Sequence, residues 1–240
     1  MSFYTLYYIL GIVMIPGIIL GLIASSKVSK TFNKYNYTAS QRGRRACDVA
    51  RSMLNDGDCT GTRIQKIQGH LTDNYNPKTD VVSLSSSTHD SNSISAIGVA
   101  CHEVGHALQH KQNYLPVKIR SALVPVLNIS SRLTWPLLII GLIAEIAYQA
   151  TWAEWLIYAA LGIYALDTIF SLVTLPVELN ASKRAYQSLI ETNELTPEEA
   201  AKAKKVLNAA ALTYLAALIT SILSLLRVLL FVLSTRRNRD

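Results

Sequence analysis

Length, composition and charge restrict the classes to which this protein can belong. The chain has 240 residues, half of them hydrophobic, and a formal net charge of +7 at pH 7. Its mean hydropathy is positive, at +0.24, and the apolar residues are unevenly distributed, which indicates membrane segments. The three cysteines are odd in number and form no C-x-x-C pair. This usage indicates no disulfide framework and is compatible with a reducing compartment.

The first predicted element is a transmembrane helix over residues 1–26. This segment contains no charged residue, and its apolar run FYTLYYILGIVMIPGIILGLIA is long enough to span a hydrocarbon core of about 30 Å. A signal peptide would begin with basic residues and would have a shorter apolar core. We therefore expect a retained membrane span.

Residues 27–120 are predicted to form the catalytic region. Residues 38–54 have the pattern of an amphipathic helix with a cationic face, which suits solvent or anionic lipid headgroups better than nucleic acid. A strand follows at TRIQKIQG, and HLTDNYNPKTDVVSLS predicts a β-hairpin that turns at N-P-K-T. His70 and His89 flank this hairpin, and we interpret both as surface or packing residues.

The stretch CHEVGHALQH predicts a helix that carries metal ligands. His102 and His106 are four residues apart, so they lie one turn apart on the same helical face and can bind one ion together. His110 lies about 6 Å further along the axis. It is not preceded by the glycine-containing turn that brings a third histidine to the metal in other zinc proteases. We therefore expect His110 to lie at the helix end and not to bind the metal.

Glu103 directly follows the first of these histidines, so it flanks the ion without binding it. In H-E-x-x-H proteins this glutamate takes a proton from water whose pKa zinc has lowered to about 7. An ordinary amphipathic helix could contain the same letters by chance. Small apolar residues before the histidines, and Gly105 between them, favour a buried zinc site that another backbone approaches closely. Cys101 points about 100° away from the ligand face and is predicted to be a packing residue.

Three further apolar segments predict transmembrane helices. The second and third spans cover residues 133–150 and 155–177, with Trp and Tyr between them that suit a membrane–water interface. The fourth span covers residues 206–233. The predicted organisation is a first span (1–26), a catalytic region (27–120), a connecting helix with the second and third spans (121–177), a third-ligand helix and linker (178–205), and a fourth span with a basic tail (206–240).

The distribution of Lys and Arg predicts the orientation of the chain. Thirteen of the 23 basic residues lie between Lys27 and Arg120, and five lie between Lys183 and Lys205. The positive-inside rule therefore places residues 27–120 and 178–205 in the cytoplasm. An even number of spans would put both termini outside, a location that the basic tail TRRNRD opposes.

A catalytic zinc ion normally takes three protein ligands and leaves a fourth position for water. Two candidates for the third ligand lie downstream: Glu178, which follows the third span in a helix-compatible segment, and Asp167, which lies inside that span. Asp167 is similar to the aspartate of intramembrane site-2 proteases. However, only about eight apolar residues precede His102, too few to cross a membrane. We therefore expect the histidines to lie outside the hydrocarbon core, and predict Glu178 as their partner.

Several long segments carry a resemblance to a known family. GHLTDNYNPKTDVVSLS, AIGVACHEVGHALQH, IRSALVPVLN, TLPVELNASKRA and AKKVLNAAALTYLAAL together resemble the bacterial membrane zinc metallopeptidases of the YugP type. The chain is also distantly similar to the HtpX and CAAX prenyl protease class. The resemblance implies that His102, His106 and Glu178 bind zinc and that Glu103 is the base. Ser182 stands where the distant class has aspartate, so the surroundings of the ligands should differ electrostatically.

The sequence thus predicts an integral membrane protein, mainly α, with about four transmembrane helices and a small α+β, zincin-like catalytic region that faces the cytoplasm. We expect a zinc endopeptidase that holds one Zn²⁺ per chain. Its expected partners are protein or peptide substrates, membrane proteins among them, and the lipid bilayer. No nucleic acid partner is expected.

Two alternative functions stay open at this point. One is an intramembrane-cleaving protease that uses Asp167, and the other is a membrane scaffold with a structural zinc ion. A structural site normally closes its fourth position with Cys or His, and the sequence offers no obvious residue for that position. Catalysis also requires a group that stabilises the developing oxyanion, for which Arg184, Tyr75 and His70 are the candidates.

Overall fold

The computed structural model describes residues 11–148 and 152–237, which form a mainly helical protein with one small sheet. Long helices dominate the second half of the chain, as the apolar segments predict. In chain order the elements are α1 (Ile15–Asn36), α2 (Ala46–Asp56), β1 (Arg63–Ile67), β2 (Asn74–Asn76), β3 (Val81–Ser85), α3 (Ile94–Lys111), α4 (Leu115–Tyr148), α5 (Ala153–Glu191) and α6 (Pro197–Arg237).

The described residues divide into two compact units. The first contains residues 11–22, 119–175 and 214–237, and the second contains residues 23–118 and 176–213. All residues predicted to bind metal belong to the second unit.

The first unit consists of apolar helical segments. Small and polar residues lie at their contacts: Gly17 packs against Thr220, and Thr168 donates a hydrogen bond to the Ser221 carbonyl at 3.2 Å. Many large apolar side chains are exposed on these segments, among them Ile139 and Leu172. Small residues at helix contacts and apolar residues on the outer faces are typical of helices packed within a bilayer.

Three helices in the described part of the chain are long and apolar enough to cross a membrane, at Leu115–Gly141, Trp155–Glu191 and Pro197–Leu233. The last two contain the predicted third and fourth spans. The helix that contains the second predicted span begins well before residue 133. The predicted connecting helix and this span are parts of one continuous helix, α4. Of the first predicted span, residues 1–10 lie outside the described residues, and residues 15–26 are helical within α1.

The second unit contains a three-stranded sheet in the order β1-β3-β2. The predicted hairpin is confirmed, because β2 pairs antiparallel with β3; β1 pairs parallel with β3 on its other side. All five residues of β3 are buried, as expected for a central strand. The strands β2 and β3 pack on α3, which α2 also covers. Apolar residues from these elements, such as Val82, Ile97 and Val104, form one core.

The predicted helix over residues 38–54 is wrong in its first half, because α2 begins only at Ala46. Ala39 instead forms an isolated bridge with Ser93, and Gly43 adopts the left-handed conformation at φ +64° within a turn. This conformation costs little for glycine and ends any continuous helix there. The cationic residues of this segment form ion pairs, with Arg44 bound to Glu194 and Arg45 bound to Asp48.

Candidate metal centre

Helix α3 carries the two histidines of the candidate metal centre. Ser93 caps its first turn, where the hydroxyl accepts a hydrogen bond from the Ala96 backbone at 3.2 Å. Ser95 donates to the Phe32 carbonyl at 2.8 Å, which fixes the buried start of α3 against α1. Within this helix His102 and His106 lie one turn apart, as predicted, with ring centroids 4.8 Å apart.

Helix α5 approaches α3 at Gly105, directly before His106. A Cβ atom at this position would lie 2.6 Å from the Ala181 carbonyl oxygen of α5. Only glycine fits such a distance without a shift of one backbone. The predicted close approach at Gly105 is therefore confirmed, and it brings the turn of α5 that carries Glu178 against the histidines.

Glu178 lies between the two histidines. Its Oε2 atom is 3.3 Å from Nε2 of His102 and 3.4 Å from Nε2 of His106. The Glu178 side chain is 2 % exposed, and the histidine side chains are 13 % and 16 % exposed. The carboxylate is therefore buried, while each imidazole keeps a small exposed fraction.

The inward-facing atoms of this triad fit a zinc ion. Two ligands of a tetrahedral zinc site with bonds of about 2.0–2.1 Å lie about 3.3 Å from each other. The separations of 3.3 and 3.4 Å between Glu178 and the two histidines match this value. The donor set of two imidazoles and one carboxylate is also that of catalytic zinc sites that leave one position open.

The outer nitrogens of both histidines have hydrogen-bond partners. Nδ1 of His102 lies 3.1 Å from the Ser182 hydroxyl, and Nδ1 of His106 lies 3.0 Å from Oε1 of Gln109. Metal-binding histidines usually use the second nitrogen in this way, which orients the ring and directs the other nitrogen at the metal.

Burial changes the proton affinity of the groups on α3. It raises the pKa of Glu103 above its usual value, because the opposing charges of His102 and His106 are too weak to offset it. Burial alone lowers the pKa of His106. The hydrogen bond that His106 donates to Glu178 and the negative charges of Glu103 and Glu178 outweigh this effect, so the pKa of His106 is raised. Glu103 therefore has more affinity for a proton than an exposed carboxylate, as a general base requires.

Other predicted residues lie elsewhere. His110 packs edge-on against the Tyr75 ring with centroids 6.2 Å apart, and His70 packs edge-on against Phe32 at 5.4 Å. Cys101 is fully buried in the core. Among the described residues, Asp167 belongs to none of the groups of three or more side chains that could hold a metal ion.

Two of the three oxyanion candidates have hydrogen-bond partners in the second unit. The Tyr75 hydroxyl donates to Asp80 at 3.1 Å. Arg184 donates from Nε to Asn180 and from Nη1 to Gln112, both at 2.7 Å. The contact of Tyr75 lies in the hairpin, and the contact of Arg184 with Gln112 joins α5 to the residue directly after α3.

A second group of potential ligands consists of Cys47, His89 and Asp90. The Asp90 carboxylate is already held by Lys66 at 2.6 Å and by His89 at 2.7 Å, with Arg45 at 3.8 Å. These contacts account for the group as a surface ion-pair cluster at the start of α2.

The contact of Gln109 with the triad was not predicted from the sequence. It lies three residues after His106, a spacing that places both side chains on the same helical face. That spacing could have indicated the contact. Nothing in the sequence indicates its partners on α5, which are about 70 positions away.

Comparisons with known proteins identify the family of the chain. The sequence model of the family described as "Putative neutral zinc metallopeptidase" matches residues 10–233. A protein of Bacillus subtilis (strain 168) named "Putative membrane protease YugP" is 38 % identical over 215 residues, which cover 89 % of this chain and 92 % of that protein. No solved structure matches the chain significantly. The family match extends over nearly all of the sequence, so the chain belongs to the family described as putative neutral zinc metallopeptidases.

Proposed function

We propose that the protein is a membrane-bound, zinc-dependent endopeptidase in which His102, His106 and Glu178 hold one Zn²⁺. The observation that carries this proposal is the convergence of two imidazole nitrogens on one buried carboxylate oxygen, at 3.3 and 3.4 Å. The family and the membrane protease of Bacillus subtilis support the same class of activity.

Zinc at this centre would supply Lewis acidity, which acidifies water and polarises the scissile carbonyl. Glu103, buried beside the ligands, would accept a proton from the attacking water. The water oxygen then bonds to the carbonyl carbon, the C–N bond breaks, and Glu103 delivers its proton to the leaving amine nitrogen. Arg184, Tyr75 and His70 stay the candidates for the oxyanion stabiliser.

The substrate of this reaction would be an extended stretch of protein or peptide. The order β1-β3-β2 leaves β1 and β2 as edge strands, and β2 packs on the helix that carries the histidines. An edge strand can hold an extended peptide by main-chain hydrogen bonds, which would align a scissile bond.

We further propose that four spans anchor the chain in the cell membrane and that the zincin-like catalytic region faces the cytoplasm. The basic residues of the second unit support this orientation by the positive-inside rule. Membrane proteins that present a cytoplasmic segment near the bilayer would then be natural substrates.

The proposed function is tested by metal content and casein cleavage of the full-length protein purified in detergent. We expect one zinc ion per chain, loss of cleavage when a chelator removes the zinc, and recovery when zinc is added back. Cleavage that continues in fully metal-free protein would overturn the proposal, as would a metal-loaded protein that cleaves neither casein nor membrane-protein substrates.

A further inference from the structure

A buried amide on α3 joins the two helices that supply the ligands. Gln109 is fully buried. Its Oε1 atom lies 3.0 Å from Nδ1 of His106, and its Nε2 atom donates to the Val177 carbonyl at 2.7 Å and to Oδ1 of Asn180 at 2.9 Å. One side chain thus contacts a histidine ligand on α3 and the backbone residue directly before Glu178 on α5.

The direction of this hydrogen-bond chain is fixed at its far end. A backbone carbonyl can only accept and a guanidinium can only donate. Arg184 donates from Nε to Oδ1 of Asn180 at 2.7 Å, so the amide oxygen of Asn180 must face Arg184 and Gln109. With this oxygen and the Val177 carbonyl both accepting, the amide group of Gln109 has only one orientation that avoids contact between two acceptors.

We propose that Gln109, held in this orientation by Val177, Asn180 and Arg184, is a positioning residue that sets the tautomer of His106. Its Oε1 atom can only accept, so Nδ1 of His106 carries the hydrogen. With zinc bound, Nε2 is then the nitrogen left free to bind the metal beside Glu178, as the proposed function requires. This inference rests on the metal centre of the proposed function.

The same chain restrains the placement of α3 against α5. Arg184 also donates from Nη1 to Gln112, which directly follows α3, at 2.7 Å. Gln109 and Gln112 therefore both connect to this pair of α5 residues. These contacts lie one turn beyond His106, at the end of α3. They therefore add to the contact at Gly105 in holding Glu178 opposite the histidines.

The hydrogen bond at the outer nitrogen of His102 has no fixed direction. Nδ1 of His102 contacts the Ser182 hydroxyl at 3.1 Å, and a hydroxyl can donate or accept. The Ser182 contact therefore orients the ring of His102 without dictating its tautomer. Loss of Gln109 should accordingly change the tautomer of His106 and leave that of His102 as it is.

The test uses Gln109→Leu in the full-length protein, with Lys111→Gln as the matched control because Lys111 is exposed on the same helix. Zinc affinity is measured by competition with a chelating dye. The histidine tautomers of zinc-loaded protein are measured by ¹⁵N NMR, with the His106 signals assigned from a His106→Asn variant. We expect Gln109→Leu to weaken zinc binding by about 10- to 100-fold and to remove the hydrogen-bonded Nδ1–H form of His106. The control should match the wild type.

Arg184→Met is the second variant, because it releases Asn180 at the edge of the network without altering the buried amide. We expect a smaller loss of zinc affinity, about threefold to tenfold, with the same change at His106. Unchanged zinc affinity and an unchanged His106 tautomer in the folded variants would overturn the proposal. If Gln109→Leu does not fold, Arg184→Met decides alone. Neither readout needs peptidase activity, so the outcome is separate from that of the proposed function.

Discussion

At the scale of single residues, the third ligand separates the two protease classes that the sequence left open. One carboxylate oxygen of Glu178 contacts both histidines. Among the described residues, Asp167 belongs to no group of side chains that could hold a metal ion. Glu178→Ala leaves two ligands, so we expect zinc affinity to fall by more than about 100-fold, the upper end for partners outside the coordination shell. Asp167→Asn should keep zinc and most of the activity.

Zinc content of the two purified variants, with circular dichroism to confirm that both are folded, checks this prediction. The reverse pattern, in which Asp167→Asn loses the metal and Glu178→Ala keeps it, would move the site to Asp167 and favour the intramembrane protease.

The proton affinity of His106 predicts how zinc binding depends on pH. A protonated imidazole cannot bind a metal, so zinc affinity is full above the pKa of His106 and falls as pH is lowered through it. Because this pKa is raised, the decline should begin above the range of an ordinary histidine and reach about tenfold per pH unit for each proton displaced. Isothermal titration with zinc between pH 5 and pH 8 tests this, and constant affinity over that range would contradict it.

At the scale of elements, the contact of α3 with α5 depends on the absence of a side chain at Gly105. Gly105→Ala would place a methyl group 2.6 Å from the Ala181 carbonyl oxygen, so the helices must separate and Glu178 must move away from the histidines. Gly98 is the matched control on the same helix, because a Cβ there would meet Ala203 at an ordinary 3.4 Å.

We expect Gly105→Ala to lower the melting temperature and weaken zinc binding. Gly98→Ala should be neutral or stabilising by up to about 1 kcal/mol, the helix preference of alanine over glycine. Thermal melts with and without zinc provide both quantities. Equal behaviour of the two variants would show that the close approach at Gly105 does not position Glu178.

The same elements show which features the sequence could predict. Spacing alone placed His102 and His106 on one helical face, and the pairing of β2 with β3 followed from the N-P-K-T turn signal between two strand-like segments. Residue pairs close in sequence have few possible arrangements, which is why these predictions are confirmed.

Other features depend on contacts that no local pattern contains. The segment before α2 is not helical, because Ala39 bridges to Ser93, more than 50 residues away. The parallel pairing of β1 with β3 and the contacts of Gln109 with α5 are likewise set by packing between distant parts of the chain. Glu178 was chosen over one other downstream candidate, Asp167, and its resemblance to the ligand of a known family strengthened that choice.

At the scale of the whole molecule, the proposed orientation can be tested with single cysteines. The native cysteines are buried and would be replaced. Lys34 and Thr79 are exposed in the second unit, and Trp152 is 56 % exposed between the second and third predicted spans. In intact cells we expect cysteines at Lys34 and Thr79 to resist an impermeant thiol reagent and a cysteine at Trp152 to react.

Permeabilised cells serve as the control, because all three positions should react there. Labelling of Lys34 and Thr79, but not of Trp152, in intact cells would place the catalytic region outside the cytoplasm.

Hydrolysis of peptide bonds with zinc and Glu103 is the activity that we propose for this membrane protein. The most direct measurement compares wild type and Glu103→Gln for zinc content and casein cleavage in the same preparations. Glutamine keeps the size of the side chain but cannot accept the proton of the attacking water. We predict one zinc ion per chain in both proteins and a loss of cleavage of at least about 10²- to 10⁴-fold in the variant. A zinc-loaded Glu103→Gln protein that cleaves casein at the wild-type rate would contradict the account.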